Sequence, residues 1–367
     1  MRKIGCRGFT NETPSVRLNA RLRHGAAAAA IFGLVVHGFP NDARADEGGV
    51  SFWLPGFFGS LAAVPQQPGF SYASIYYHTS VSAGGDVAFA RQVTAGRLTT
   101  NFNGNLNANL DAKADLYLGI PQYVFATPVL GGQAAIAMAV PYGRSQASVD
   151  ATLTGSLGPL GFTVSGSRSD AVTGFGDMIP MFSLRWNAGV HNFMTYLTGN
   201  LTTGRYDPSR LANLGIGHNA IDGGGSYTYF DPQKGHEFSA TLGFTYNFEN
   251  VHTDYKNGID MHLDWGASQF LSKQLQVGLV GYWYNQLSCD SGTGDRVGCF
   301  ESRVAGIGPQ IGYIIPLSSD YQGYINLKGY KEFAAEHRPD GWNLWLTFAI
   351  SPAAKQPPAA SRAIITK

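Results

Sequence analysis

Charged residues are scarce in this chain of 367 residues. Asp, Glu, Lys and Arg make up 14% of it, and the formal net charge is +1, whereas soluble domains carry roughly 25% charged residues. A nearly neutral chain generates no strong field toward nucleic acid, so we expect no nucleic-acid partner. Long apolar runs are also lacking, because outside the N-terminus no stretch approaches the length of a membrane-spanning helix.

The single clear apolar run belongs to a targeting segment. Three arginines precede residues 26–36, and Ala43-Arg44-Ala45 then provides a small-residue cleavage site. This order predicts a secretory signal peptide over residues 1–45. A membrane anchor is the alternative, but about 11 apolar residues are too few to cross ~30 Å of hydrocarbon.

Cysteine is nearly absent, with three residues in the whole chain. Cys6 lies in the predicted signal peptide, whereas Cys289 and Cys299 flank the Gly-rich stretch 290–295. In an exported protein this arrangement favours a disulfide between Cys289 and Cys299. A metal site is disfavoured because no paired histidine or second cysteine pair is nearby, and we expect neither a metal nor a cofactor.

What is abundant is alternation between apolar and polar residues. In the stretch 260–271, Met261, Leu263 and Trp265 alternate with a charged set. That charged set consists of Asp260, His262 and Asp264. Side chains alternate across a strand, so one face is apolar and the other charged.

The same alternation recurs along most of the chain. It predicts strands at 70–79, 112–127, 133–148, 174–187, 192–203, 220–230, 238–248, 260–271, 275–288, 303–315, 321–333 and 342–350. Short turns and long loops alternate between them, which is typical of outer-membrane barrels and not of soluble sandwiches. We therefore predict an all-β fold: an antiparallel up-and-down transmembrane β-barrel of about 12 strands over residues 69–351, in the bacterial outer membrane among its lipids.

Three regions depart from this pattern. Residues 152–169 are rich in Gly and Ser and predict a surface loop, and residues 352–367 predict a disordered tail. Residues 46–68 are apolar and interrupted by Pro, which predicts either an ordered N-terminal arm or a plug inside the lumen. The candidate plug residues are Phe52, Trp53, Leu54, Phe57 and Phe58.

A set of short segments, taken together and in order, resembles one known family. These are Thr-Gly-Phe-Gly-Asp (173–177) with Pro180, Thr-Thr-Gly-Arg-Tyr (202–206), Leu-Gly-Ile-Gly-His (214–218), the stretch 246–258, Gly281-Tyr282 with Gln286, and Ile-Gly-Pro-Gln-Ile-Gly-Tyr (307–313). The set is similar to the outer-membrane family named for the meta-pathway of phenol degradation. The resemblance implies a monomeric barrel that admits hydrophobic or aromatic compounds.

If the apolar sets face lipid, the polar sets line the lumen. The candidate lumen residues are Asp260, His262, Asp264, Glu237, Glu249, Lys328, Glu332, Asp177, Arg185, Tyr117, Tyr123, Tyr196, Tyr324 and Tyr330. One interpretation is a substrate-binding face, in which a carboxylate or His262 accepts a phenol hydroxyl. The favoured interpretation is an internal network of paired charges, because small barrels fill their interior with side chains.

We therefore expect an outer-membrane channel or transporter for small hydrophobic or aromatic, phenol-like compounds, and not an enzyme. A structural or adhesion barrel without transport is the main alternative. An outer-membrane lipase is less favoured: His262 and Ser268 share a strand face, but there is no Gly-x-Ser-x-Gly motif and spacing alone fixes no triad.

Overall fold

The computed structural model describes residues 51–84, 103–157, 160–295, 299 and 301–353. The predicted signal peptide lies outside the described residues. So does nearly all of the predicted C-terminal tail, from residue 354 onward. Among the described residues, no helix has the length and apolarity that a membrane crossing requires.

Antiparallel strands account for most of the described chain. They are β1 (Gly69–Ala83), β2 (Asn103–Val124), β3 (Gln133–Leu157), β4 (Leu160–Phe175), β5 (Ile179–Ala188), β6 (His191–Asn200), β7 (Ala220–Asp231), β8 (His236–Asn247), β9 (Asp260–Phe270), β10 (Leu275–Gln286), β11 (Arg303–Pro316), β12 (Tyr321–Glu336) and β13 (Asp340–Pro352).

The sheet closes on itself into a barrel. From β5 to β13 each strand pairs with its sequence neighbour, β13 pairs with β1, β1 with β2, and β2 with β3. Among the described residues, β1 to β3 and β5 to β13 thereby have a partner on each side, whereas β4 pairs with β3 alone. Pairing on both sides suits a lipid environment, where an unpaired backbone group would cost several kcal/mol.

The thirteen strands occupy twelve positions around the barrel, because β4 and β5 share one position. Both β4 and β5 pair with β3: Phe175 lies opposite Tyr142, and Ile179 lies opposite Ala139. The break at residues 176–178 thus divides one long strand into two. The prediction of a twelve-stranded antiparallel barrel is confirmed.

The prediction of a loop at residues 152–169 is wrong. Residues 152–157 continue β3 and residues 160–169 belong to β4, with Leu157 opposite Leu160 at the end of the pair. Gly and Ser favoured a loop in the sequence, but β3 pairs on both sides, with β2 and β4, and such pairing overrides a weak local preference. The three strands extend past the end of the β1–β2 pairing, where Ala83 lies opposite Leu110.

The outward face of the barrel is apolar, as the alternation predicts. In β8, Leu242 is 41% exposed and Phe244 is 47% exposed, whereas the intervening Thr241 and Thr245 are buried. In β9, Asp260, His262 and Asp264 point inward and are buried. Exposed apolar side chains are stable on this face because it meets hydrocarbon and not water.

Two tyrosines predicted to line the lumen face outward instead. Tyr117 and Tyr123 are exposed in β2 and contact Tyr76 and Phe70, at ring-centroid distances of 5.0 and 5.2 Å. Leu118, on the opposite face of β2, is buried in an apolar cluster inside the barrel. The prediction fails because it assumed a wholly polar lumen, whereas here the apolar set of a strand packs inward.

The lipid-facing side should not tolerate charge. We expect Leu242→Arg to lower the free energy of unfolding by about 2–4 kcal/mol, since an arginine near the bilayer midplane is poorly solvated. Val251→Arg is the control, because Val251 is 77% exposed in a loop and should change stability by under ~0.5 kcal/mol. Guanidinium unfolding in lipid vesicles measures both, and equal effects would contradict the assigned lipid face.

Candidate functional site

The N-terminal residues 51–68, hereafter the lumen segment, lie inside the barrel. They form no strand, and Phe52, Trp53 and Ala63 are buried. Their side chains pack with Met194, Tyr196 and Ala220 of the barrel wall. The inward faces of the strands therefore surround another part of the same chain.

Inward carboxylates bind the backbone of the lumen segment. Asp264 of β9 accepts hydrogen bonds from the N–H groups of Gly56 at 2.9 Å and Phe58 at 3.1 Å. Glu237 of β8 accepts a bond from the N–H of Leu61 at 2.9 Å. These two side chains thus hold the segment at two turns, one at residues 56–58 and one at Leu61.

Inward cations bind the carbonyl groups of the same segment. Lys328 of β12 donates from Nζ to the carbonyl oxygen of Gly56 at 2.6 Å. Arg185 of β5 donates from Nε to the carbonyl oxygen of Ala62 at 3.4 Å. Asp264 and Lys328 thus bind opposite polar groups of one residue, the N–H and the carbonyl oxygen of Gly56. The two side chains are linked through the backbone of the lumen segment.

Gly56 permits this close approach. Its φ is +88°, and a Cβ atom there would lie 2.9 Å from Cζ of Tyr330. Any other residue would be strained in this conformation and would displace the tyrosine ring. The glycine therefore lets the segment turn between Asp264 and Lys328.

Aromatic side chains of the lumen segment stack on the wall. The Trp53 ring lies 3.8 Å from the His262 ring at an interplanar angle of 15°. Phe58 lies 5.1 Å from Tyr196, and Phe57 lies 6.2 Å from Trp345 of β13. These rings form an aromatic layer between the lumen segment and the barrel wall.

His262 joins that layer to a buried polar group. Its Nε2 atom lies 3.0 Å from Oδ2 of Asp222 and 3.2 Å from the hydroxyl of Tyr196. Asp222 of β7 was missed from the sequence. The signal was present, since Asp222 is the only charged residue in the alternate set Ala220, Asp222, Gly224, Ser226 and Thr228.

Other predicted lumen residues hold the wall together. Asp260 accepts a bond from the Asn247 amide at 2.8 Å. Glu332 accepts one from the Tyr282 hydroxyl at 2.7 Å, and Tyr324 donates to Gln276 at 3.4 Å. The first contact connects the neighbouring strands β8 and β9, and the other two connect β10 with β12 across the inward face of β11. Such contacts stiffen a narrow barrel.

Two predicted lumen residues lie instead at the end of the barrel that carries the long loops. Asp177 sits in the break between β4 and β5 and binds loop backbone, accepting a bond from the N–H of Gly204 at 2.8 Å. Glu249 is exposed and lies beyond Asn247, the last residue of β8. The alternation was extended two residues past the end of the strand, so the lumen position predicted for Glu249 is wrong.

The loop between β10 and β11 contains the cysteine pair. The structure joins Cys289 and Cys299 in a disulfide with their Cα atoms 4.5 Å apart. Beside it, burial raises the pKa of the Asp290 carboxyl above its ordinary value, and hydrogen bonds from Tyr255 and the N–H of Gly258 oppose this shift. The disulfide and these bonds hold the loop against residues 254–258.

Among the described residues, one set of side chains has metal-like spacing, namely Cys289, Cys299 and Glu301. The two sulfur atoms of that set are bonded to each other.

The serine and histidine considered for a lipase have other partners. Ser268 bonds to Ser60 and His262 to Asp222, whereas acyl transfer requires the serine hydroxyl on the histidine.

Comparison with known proteins agrees with this architecture. Residues 82–348 match the sequence model of a family described as "Putative MetA-pathway of phenol degradation". No curated protein matches the chain. The fold is similar to that of the COG4313 outer membrane channel from Pseudomonas putida F1, with a TM-score of 0.57, 12% identity, and coverage of 79% of this chain and 97% of that chain.

A weaker similarity is found to a FadL homologue from Pseudomonas aeruginosa. Its TM-score is 0.38 at 8% identity, with coverage of 86% of this chain and 98% of that chain. At these identities the likeness to the P. putida channel concerns the fold alone. Together with the apolar outward face, it identifies an outer-membrane β-barrel.

The contacts of Asp264 generate the first test of the site. We expect Asp264→Ala to weaken the hold on the lumen segment, because two backbone N–H groups lose a charged acceptor worth about 1.5–3 kcal/mol per bond. In planar bilayers the variant should open more often or conduct more. Glu332→Ala is the control, since Glu332 bonds to Tyr282 and the N–H of Gly341; an equal rise there would show a general loosening of the barrel.

The cysteine pair generates the second test. The oxidised protein should migrate faster than the reduced protein on a denaturing gel, because the cross-link keeps the unfolded chain more compact. Cys289→Ser should abolish that difference and speed protease cleavage within residues 287–302. A mobility that does not respond to reductant would refute the disulfide.

Proposed function

The chain belongs to the MetA-pathway phenol-degradation family, and on this premise we propose that it is an outer-membrane channel for small hydrophobic or aromatic molecules. It resides in the outer membrane, where its apolar outward face meets lipid. The proposed cargo is uncharged and of the size of a single aromatic ring. The proposed unit is a monomer, and no enzymatic step is part of the proposal.

The observation that carries the proposal is the way the lumen segment is held. Its backbone is bound by Asp264, Glu237 and Lys328 through hydrogen bonds, and its rings stack on Tyr196 and His262. Among the described residues, no strand pairing and no disulfide fixes the lumen segment. Side-chain hydrogen bonds can break one at a time, so we propose that the segment is a plug that shifts to let solute pass.

The composition of the plug supports an apolar or aromatic cargo. Trp53, Phe57 and Phe58 form a layer of aromatic rings next to Tyr196. A flat apolar solute can replace one ring contact with another as it passes, whereas an ion or sugar would lose its hydration there.

A second candidate function is adhesion without transport. One observation favours it, namely the β2–β3–β4 sheet that extends beyond the end of the β1–β2 pairing. Under this alternative the lumen segment is a permanent structural core. Removing residues 51–64 would then destabilise the barrel without opening a path.

Uptake measurements separate the two. Cells that make the protein should accumulate labelled phenol or toluene faster than cells that lack it, with the largest difference at low external concentration. Deletion of residues 51–64 should raise single-channel conductance if the segment is a plug. Equal uptake of aromatic compounds by cells with and without the protein would refute the transport proposal.

A further inference from the structure

A pocket of about 310 Å³ lies at the extracellular end of the barrel, between the loops at 201–219 and 248–259. It is separate from the contacts that hold the lumen segment. Its lining includes Tyr206, His218, Phe248, Glu249 and His252. This volume is at the lower end of the range for small-molecule sites, about 300–1,000 Å³. The pocket draws on three of the family-like segments, 202–206, 214–218 and 246–258.

The floor of the pocket is rigid. Asp177 is buried and accepts three hydrogen bonds, from the N–H groups of Gly204 and Ile216 and from the Asn200 amide, at 2.8 to 3.1 Å. Asn250 is fully buried and donates to the Tyr206 hydroxyl at 2.8 Å. Two loops are thereby held in one arrangement before any ligand arrives, which reduces the entropy lost on binding.

Gly217 makes room for the aromatic wall. Its φ is +81°, and a Cβ atom there would lie 2.5 Å from Cζ of Tyr206. With glycine at this position, the Tyr206 ring packs 5.8 Å from the His252 ring. Phe248 adds a 42% exposed ring to the same pocket. The wall thus presents flat apolar surfaces to a ligand.

One carboxylate of the pocket, that of Glu249, binds no other group among the described residues. Glu249 is exposed and, within the part of the chain that the structure describes, makes no hydrogen bond or ion pair. Asp177 in the same pocket is saturated by backbone donors. An acceptor beside aromatic rings, on a rigid floor, is the arrangement that recognises a ring carrying a hydrogen-bond donor.

We propose that this pocket is an extracellular capture site for a monocyclic arene bearing a hydroxyl group. The ring lies against Phe248 and Tyr206, and the hydroxyl donates to the carboxylate of Glu249. This inference rests on the proposed function, and it adds where the solute first binds and which group selects it. An aromatic carboxylate is excluded, because its charge would meet that of Glu249.

Phenol and anisole test the proposal directly, since a methyl group replaces the donor hydrogen of phenol in anisole and the ring stays the same. Ligand-observed NMR on the full-length protein in detergent micelles should show phenol binding about tenfold more tightly than anisole, because a hydrogen bond to a charged group is lost with the ether. Benzoate should not compete with phenol. Micelles without protein correct for partitioning.

Glu249→Leu should weaken phenol binding about tenfold, to the level of anisole, and leave anisole unchanged. Phe248→Ala should weaken both ligands. Glu301→Leu is the matched control, an exposed glutamate in another extracellular loop, and should alter neither. Equal binding of phenol and anisole by the natural protein, or phenol binding that persists in Glu249→Leu, would overturn the capture site.

Uptake in cells distinguishes failure of the capture site from failure of the transport proposal. If the site captures phenol, Glu249→Leu should slow uptake at low external phenol and match the natural protein at high concentration. Normal uptake in the variant at all concentrations would reject the capture site and leave transport standing. Phenol binding without any uptake by the natural protein would reject transport and leave the site standing.

Discussion

Every backbone N–H and C=O group in the membrane must find a hydrogen-bond partner within the protein, because hydrocarbon offers none. The chain meets this constraint by pairing β1 with both β13 and β2, which closes the sheet. Closure then imposes alternation, with one side of each strand toward lipid and the other toward a narrow interior. The polar groups of that interior need partners too.

The lumen segment supplies many of those partners. A bare ring of inward Asp264, Glu237, Lys328 and Arg185 would be poorly solvated in a narrow barrel. The N–H groups of the segment lie on the carboxylates, and its carbonyl groups lie on the cations. Under the proposed function, the same contacts that hold the segment in the interior also keep the path closed. Channel activity would therefore require these bonds to exchange for water or solute.

Alternation identified the strands well where the outward face is strongly apolar, as in β8 and β9. It failed at Tyr117, because Leu118 on the other face packs into an apolar cluster inside the barrel. It failed at Glu249, because periodicity does not mark the residue where a strand ends. The inward charges were found from the sequence, and His262 does pair with another charged residue, Asp222. Neither role considered for them, substrate acceptor or partner of another charge, included the backbone of the lumen segment, which Asp264 and Lys328 contact.

The sequence by itself determined the barrel, its twelve positions and the polar character of most inward positions, because strand periodicity is a local property. Only the tertiary structure decided what those inward groups bind. Asp264 and Gly56 are separated by more than 200 residues, and no local pattern brings them together. The same holds for the pocket around Glu249, whose walls come from two separate loops that the pairing of β6 to β9 brings together.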